Sequence, residues 1–287
     1  MRKGMDIRTI EKSKKWGYMF YISYNGQKFQ SFDEINGKKS VKGKFKDIME
    51  KIGFTWAKGI QQAGRTDAKV SANENILYVS SNFNGDINKI QEKFNKNSDD
   101  ELKVTMVKKT FPNIIFPDMI EKREYIYSYP EKLIKNTEKE IEKLCKELSG
   151  IYDVSEFTDK KGLELKEHIR EVKITYERGK LRFLGSSFMP KQVRIMSGYI
   201  LTGKKEPLMG KYLTLEKIYL KDEMKNIIFQ EVSDKLEENV IKIEKTTDGS
   251  LYIFYVAQGK RGEFIGKNGK NIKGLKKKYG DIVVREI

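Results

Sequence analysis

One stretch carries more chemistry than any other in the chain: Ala63-Gly64-Arg65-Thr66-Asp67-Ala68-Lys69-Val70-Ser71-Ala72. Glycine lets a strand exit turn sharply, and Thr66 and Asp67 can bond the local backbone and fix the turn. The flanks, residues 54–57 and 75–80, have the aromatic and β-branched content of short strands. Together they place a carboxylate beside a cation on a loop at the end of a sheet. Such a carboxylate can act as a nucleophile or stabilise developing charge. The plain alternative is a solvated Arg/Asp pair on a surface turn.

Two further stretches offer functional groups. Residues 122–129 alternate as a strand, with Arg123, Tyr125, Tyr127 and Tyr129 on one face and Glu124, Ile126 and Ser128 on the other. Such a face suits either a half-buried sheet or a platform on which a base can stack. Near the C-terminus, Ile265-Gly266-Lys267-Asn268-Gly269 places two glycines where a tight turn lets a phosphate backbone approach closely. Lys267, Lys270, Lys273, Lys276, Lys277 and Lys278 add positive charge there. A glycine turn ahead of a solvated lysine helix is the plain reading of the same residues.

The whole chain bounds these possibilities. Its 287 residues suffice for one large domain or two to three smaller ones, and 38% hydrophobic residues can fill real cores. A net charge of +16 favours a polyanionic partner. The single cysteine, Cys145, can form no internal disulfide, which fits a reducing cytoplasm. The single histidine, His168, argues against His-cluster metal sites and His-dependent nucleophilic catalysis. No apolar run reaches membrane length and no signal peptide is visible.

Several elements must position the candidate groups. Residues 1–15 form a basic lead-in. Residues 16–24 read as a core strand, followed by an Asn25-Gly26 turn. A helix capped by Ser40 presents Val41, Phe45, Ile48 and Ile52 on one face. A helix over 86–95 and a strand over 102–107 lead to Phe111-Pro112 and Phe116-Pro117, which break the chain into two halves. Beyond lie a charged helix over 136–148 and a hairpin of 171–178 with 180–185 around Arg178-Gly179. A helix opening near Pro190 carries Arg194. Residues 230–243 look helical, 250–257 and 281–286 like strands.

The first stretch resembles the G-R-T-D-A-G-V-H-A motif of the TruA family of tRNA pseudouridine synthases. Gly64, Arg65, Thr66, Asp67, Ala68, Val70 and Ala72 match, while Lys69 stands for glycine and Ser71 for histidine. Tyr24-Asn25-Gly26-Gln27-Lys28-Phe29 is similar to the family's Y-D-G-x-x-F, and Arg123-Glu124-Tyr125-Ile126-Tyr127 to its R-x-Y-x-Y. Leu148 to Phe157 resembles L-x-G-x-H-D-F-x-x-F, with Tyr152 for histidine and Val154 for phenylalanine. Phe188, Val193, Arg194 and Gly198 match F-L-x-x-M-V-R-x-I-V-G at the right spacing. Residues 207–213 resemble the closing A-P-A-x-G-L-x-L strand, with the helix that usually precedes it nearly absent. The resemblance covers about residues 16–220. From about residue 226 the chain instead resembles a KH domain.

The resemblance implies an α+β catalytic domain over 16–225, of two similar α/β halves (16–112 and 113–225) around a mixed, mostly antiparallel sheet. A small KH domain of αββααβ, type II, form would follow over 226–287. It implies a cofactor-free isomerisation of uridine to pseudouridine in the tRNA anticodon stem-loop by a cytoplasmic homodimer. Asp67 would be the nucleophile, attacking ribose C1′ or uracil C6. Arg194 would pair with Asp67 and hold it ionised and oriented. Tyr125, with Tyr127 as the second choice, would lie against the flipped base and assist proton removal at C5. Arg65 would keep the nucleotide extruded or hold its phosphate. Lys69, Arg123, Lys191 and the 266–270 loop (Gly266, Lys267, Asn268, Gly269, Lys270) would contact RNA. Two alternatives stay open: the same chemistry on another RNA such as rRNA, and an RNA-binding protein or chaperone without catalysis.

Overall fold

A computed structural model describes residues 10, 15–83, 85–159, 168–232 and 239–287. The expected lead-in therefore lies largely outside the described residues. In chain order the elements are β1 (Trp16–Tyr24), α1 (Val41–Lys51), β2 (Gln61–Gln62), β3 (Ser71–Ser81), α2 (Ile87–Asn97), β4 (Leu102–Thr110), β5 (Ile120–Ser128), α3 (Glu138–Glu147), β6 (Gly150–Asp153), β7 (Ile169–Glu177), β8 (Lys180–Gly185), α4 (Gln192–Thr202), β9 (Leu213–Leu220), α5 (Asp222–Asn226), β10 (Phe229–Glu231), β11 (Lys242–Thr246), β12 (Leu251–Val256), α6 (Arg261–Ile265), α7 (Lys270–Tyr279) and β13 (Asp281–Glu286). None of these helices is long and apolar enough to cross a membrane.

Among the described residues, nine strands form one mixed sheet in the order β4-β1-β3-β9-β5-β8-β7-β6, with β2 added to β3. Two antiparallel sets meet at a single parallel seam, where β3 pairs β9 through Ser71↔Thr214 and Ala72↔Leu215 alone. Ser71 is the first residue of β3, so the Asp67 loop opens directly onto that seam.

β1 is buried along almost its whole length because it lies between β4 and β3. Strands enclosed in this way read as continuous apolar runs rather than alternating ones. Tyr18 and Phe20 meet Phe54 edge-on, at 5.5 Å each. The Ser40 hydroxyl accepts from Gly43 N at 3.1 Å and starts α1, whose Val41, Phe45, Ile48 and Met49 are buried. Ile52, expected on that face, instead ends the helix half-buried.

Residues 54–57 are not a strand. The strand before the Asp67 loop is Gln61–Gln62, and Phe54 and Trp56 reach the core from an irregular segment that packs on Phe45 and Phe83. α4 begins at Gln192 rather than at Pro190, because Lys191 takes a left-handed backbone (φ 57°) that halts the helix there. The closing strand begins at Leu213, where the expected 207–213 segment ends.

Among the described residues, four strands form a second sheet, β10-β11-β12-β13, antiparallel except for the parallel β12–β13 pair. The helix expected over 230–243 is contradicted at both ends, by β10 and β11, and residues 233–238 lie outside the described set. Tertiary burial overrides helical spacing here. Phe229 is held by Trp16 (5.4 Å, edge-on) and Phe111 (5.6 Å, stacked). The second sheet has two buried faces, as the period of two along a strand allows. Leu251, Ile253, Tyr255 and Val283 join the core of the large sheet. Phe254, Val256, Ile282 and Val284 form a separate core with Phe264 of α6 and, from α7, Ile272, Leu275 and Tyr279.

Candidate active site

The Asp67 turn is built by local bonds and then anchored from a distance. Val70 N donates to the Asp67 carbonyl at 3.2 Å, and Lys69 takes φ 65°. That left-handed backbone explains why a glycine suits this position, and the lysine accepts it while its side chain stays exposed. The Ser71 hydroxyl accepts from Gly26 N at 3.0 Å, tying the turn to the Asn25-Gly26 segment. A Cβ on Gly26 would lie 2.1 Å from the Val70 carbonyl oxygen, so that close approach requires glycine. Thr66 and Tyr24 share a buried hydroxyl pair at 2.9 Å.

Asn75 was not among the expected site residues. It is fully buried, accepts from Gly64 N at 3.2 Å and donates to Gly64 O at 2.8 Å. Only a buried polar residue within an apolar strand signals it in the sequence. Asn75→Ala leaves two buried backbone groups of Gly64 without these bonds. The substitution is expected to cost about 2 kcal/mol in a denaturant titration. It should also lower turnover more than it raises KM, because the carboxylate loop loses its support.

A pocket of about 570 Å³ opens at the seam, and Arg65, Asp67, Arg123, Tyr125, Lys191 and Arg194 all line it. Four of these six are cations and one is an acid. Asp67 Oδ2 accepts from an Arg194 terminal nitrogen at 3.1 Å. The same guanidinium donates through Nε to the Leu208 carbonyl at 2.7 Å, and Leu208 N donates to the Arg194 carbonyl at 3.2 Å. The 204–208 strap thus holds the arginine fork in the orientation that meets Asp67. Gly198 lets that strap lie close on α4, since a Cβ there would be 2.2 Å from the Glu206 carbonyl oxygen.

Tyr125 is 7% exposed, its ring edge-on to Phe188 at 5.3 Å. Burial pushes its phenol up to about 12, opposed by the Arg123 guanidinium and reinforced by the Asp67 carboxylate. It therefore carries its proton throughout the neutral range. Tyr127, the second choice, is buried outside the pocket lining and donates to the Met209 carbonyl at 2.8 Å. Register separates the two: Tyr125 lines the pocket and Tyr127 supports the segment beside it.

The remaining expected contacts divide. Arg65 is mostly exposed at the pocket, 3.8 Å from Asp33. Arg123 donates through Nε to the Ala63 carbonyl at 2.7 Å and through a terminal nitrogen to that of Ser186. Its first task is therefore to brace the two sides of the pocket. Lys191 pairs with Asp159 at 2.5 Å on the pocket wall. Lys69 lies outside the pocket lining. The 266–270 loop belongs to the second sheet's helical layer, with Gly266, Asn268 and Gly269 all at positive φ and Lys267, Asn268 and Lys270 exposed.

No family model matches the chain. Curated relatives do. The protein named tRNA pseudouridine synthase A from Streptococcus uberis is 26% identical over 208 residues, covering 64% of this chain and 82% of its own. Its namesake from Picrophilus torridus is 25% identical over 201 residues, covering 66% and 72%. That from Geobacillus kaustophilus is 23% identical over 211 residues, covering 65% and 80%. Taken with a pocket that joins Asp67, Arg194 and Tyr125, these relatives support a pseudouridine synthase, an isomerase, over about two thirds of the chain.

Proposed function

We propose that the chain isomerises uridine to pseudouridine in the anticodon stem-loop of tRNA, working as a homodimer in the cytoplasm. The observation that carries the reading is the Asp67–Arg194 pair beside the buried Tyr125 ring in one cationic pocket. The reaction breaks the N1–C1′ bond, turns the base and joins C5 to C1′, with the C5 proton lost and N1 protonated. No redox partner or energy source is needed. Asp67 supplies the electron pair that traps the sugar at C1′ or the base at C6. Arg194 fixes the direction of that carboxylate. Phe188 and Tyr125 wall the base and keep water out.

Tyr125 also gains a proton-transfer role from its coupling to Asp67. The carboxylate's charge reinforces the rise in the phenol's pKa. Formation of a covalent bond at Asp67 consumes that charge, while Arg123 remains beside the ring. Losing that charge lowers the phenol's pKa, so the ring gives up its own proton more readily, towards N1, and the phenolate left behind can take the proton leaving C5. Arg65, exposed and only loosely paired, is suited to hold the extruded nucleotide or its phosphate.

The C-terminal unit acts as a KH-type RNA grip. Its support is the Gly266–Gly269 turn between α6 and α7, the parallel β12–β13 pair, and a first turn of α7 without acidic residues. Gly269→Asp is expected to weaken RNA binding about tenfold, by placing an anion where phosphates would approach. Thermal stability should fall by only about 1 kcal/mol, the cost of an aspartate in the left-handed backbone of Gly269 (φ 71°), since a Cβ there meets only the Ile272 side chain, at 3.6 Å. An unaltered binding isotherm would remove the assignment.

Incubation of purified protein with tRNA transcripts, followed by chemical mapping of pseudouridine, tests the catalytic reading. Product in the anticodon arm supports it. Product on rRNA alone redirects the substrate, and binding without product on either RNA leaves a non-catalytic RNA-binding protein.

A further inference from the structure

A second buried polar cluster lies away from the pocket, between the two sheets. Lys109 of β4 donates to Glu244 Oε2 of β11 at 2.7 Å and to the Tyr255 hydroxyl of β12 at 2.6 Å. Tyr255 donates to the same Glu244 oxygen at 2.7 Å, closing a three-membered ring of contacts. Lys242 meets the other Glu244 oxygen at 2.9 Å. The Lys109 ammonium lies 3.9 Å from the Trp16 ring centroid, and the Arg285 guanidinium of β13 lies 5.3 Å from it. The Lys109 and Glu244 side chains are 8% and 9% exposed.

Burying such a pair costs desolvation that a plain apolar contact would avoid. An apolar contact tolerates sliding. A charged ring with each member hydrogen-bonded fits in one arrangement, so it fixes registry. The surroundings restrict movement further. Thr110 Oγ1 donates to the Ile227 carbonyl at 3.0 Å, and Lys221 N donates to the Met119 carbonyl at 3.0 Å. The connection from β9 to β10 is the short α5, with Met224 and Ile227 in the main core. The second sheet is therefore docked, not tethered.

We propose that the Lys109–Glu244–Tyr255 cluster is a positioning joint that holds the Gly266–Gly269 loop at a set distance from the Asp67 pocket. The protein then selects its target uridine partly by spacing from the RNA segment gripped at that loop. This rests on the RNA reading of both sites. Lys109, Glu244 and Tyr255 touch no substrate in this scheme and act only through the placement of the loop.

Spin labels at Glu92→Cys and Lys277→Cys, in a Cys145→Ala background, measure the docking directly. The wild-type joint should yield one narrow distance distribution. Lys109→Met and Glu244→Gln should broaden or split it, and Tyr255→Phe, the mildest change, should broaden it less. In the same variants, KM for full-length tRNA should rise about tenfold relative to KM for a short anticodon stem-loop, with kcat on the short substrate kept. Uridines next to the normal target should also become modified. Unchanged distributions in Glu244→Gln and Tyr255→Phe would overturn the proposal. So would a broadened distribution with an unchanged ratio of the two KM values. A wild-type protein that makes no pseudouridine on any RNA would instead defeat the catalytic reading, while the label distances would still report on the joint.

Discussion

Asp67→Asn protein is expected to bind tRNA as tightly as wild type and to make no pseudouridine, a loss of at least about 10⁴-fold in turnover. The amide keeps the shape of the carboxylate and can still accept from Arg194. It lacks the charge and the nucleophilic electron pair. The loop should survive the exchange, because the turn is held by backbone and neighbouring groups: Val70 N on the Asp67 carbonyl, Asn75 on Gly64, and Tyr24 on Thr66. Single-turnover reactions with excess enzyme, read by chemical mapping, separate this from a binding defect. Residual turnover within tenfold of wild type would show that another group performs the attack.

Arg194→Lys is expected to lower kcat by about 10²- to 10³-fold with KM little changed, the pattern of a group that acts as charge develops. The wild-type guanidinium meets two acceptors at once, Leu208 O through Nε and Asp67 Oδ2 through a terminal nitrogen. A single ammonium cannot reproduce that fork. The strap that carries Leu208 is set by Gly198, so a lysine finds the same strap but gives up one of the two bonds. Steady-state kinetics on the anticodon stem-loop, normalised to folded protein by circular dichroism and a thermal melt, distinguishes this from a folding defect, which would lower apparent kcat at unchanged KM only in proportion to the unfolded fraction. Near wild-type kcat in the Arg194→Lys variant would mean that any cation suffices and that the fork orients nothing.

Much of the architecture could be read from the chain because it is encoded over short distances. The enclosed strand β1 is visible as an unbroken aromatic run, and the start of α1 as Ser40 before an apolar face. The β7–β8 hairpin follows from Arg178-Gly179, both at positive φ. Local reading failed where long-range packing decided the outcome. Residues 54–57 look like a strand but serve as core side chains on an irregular segment. Residues 230–243 have helical spacing, yet both ends pair as strands, because Phe229 is claimed by Trp16 and Phe111 and Glu244 by Lys109.

The sequence by itself determined which groups were available: a carboxylate on a turn built from Gly64 to Val70, a tyrosine strand, an arginine helix, and a lysine-rich glycine loop. Turn chemistry and periodicity act over a few residues, so they are legible in one dimension. The tertiary structure alone decided that Asp67 meets Arg194 across 127 positions and that Tyr125 rather than Tyr127 faces the pocket. It alone placed the second sheet against the first through a buried charge ring. Each of these depends on strand order and on the two-residue parallel seam between β3 and β9, and no local pattern specifies which distant strands will pair.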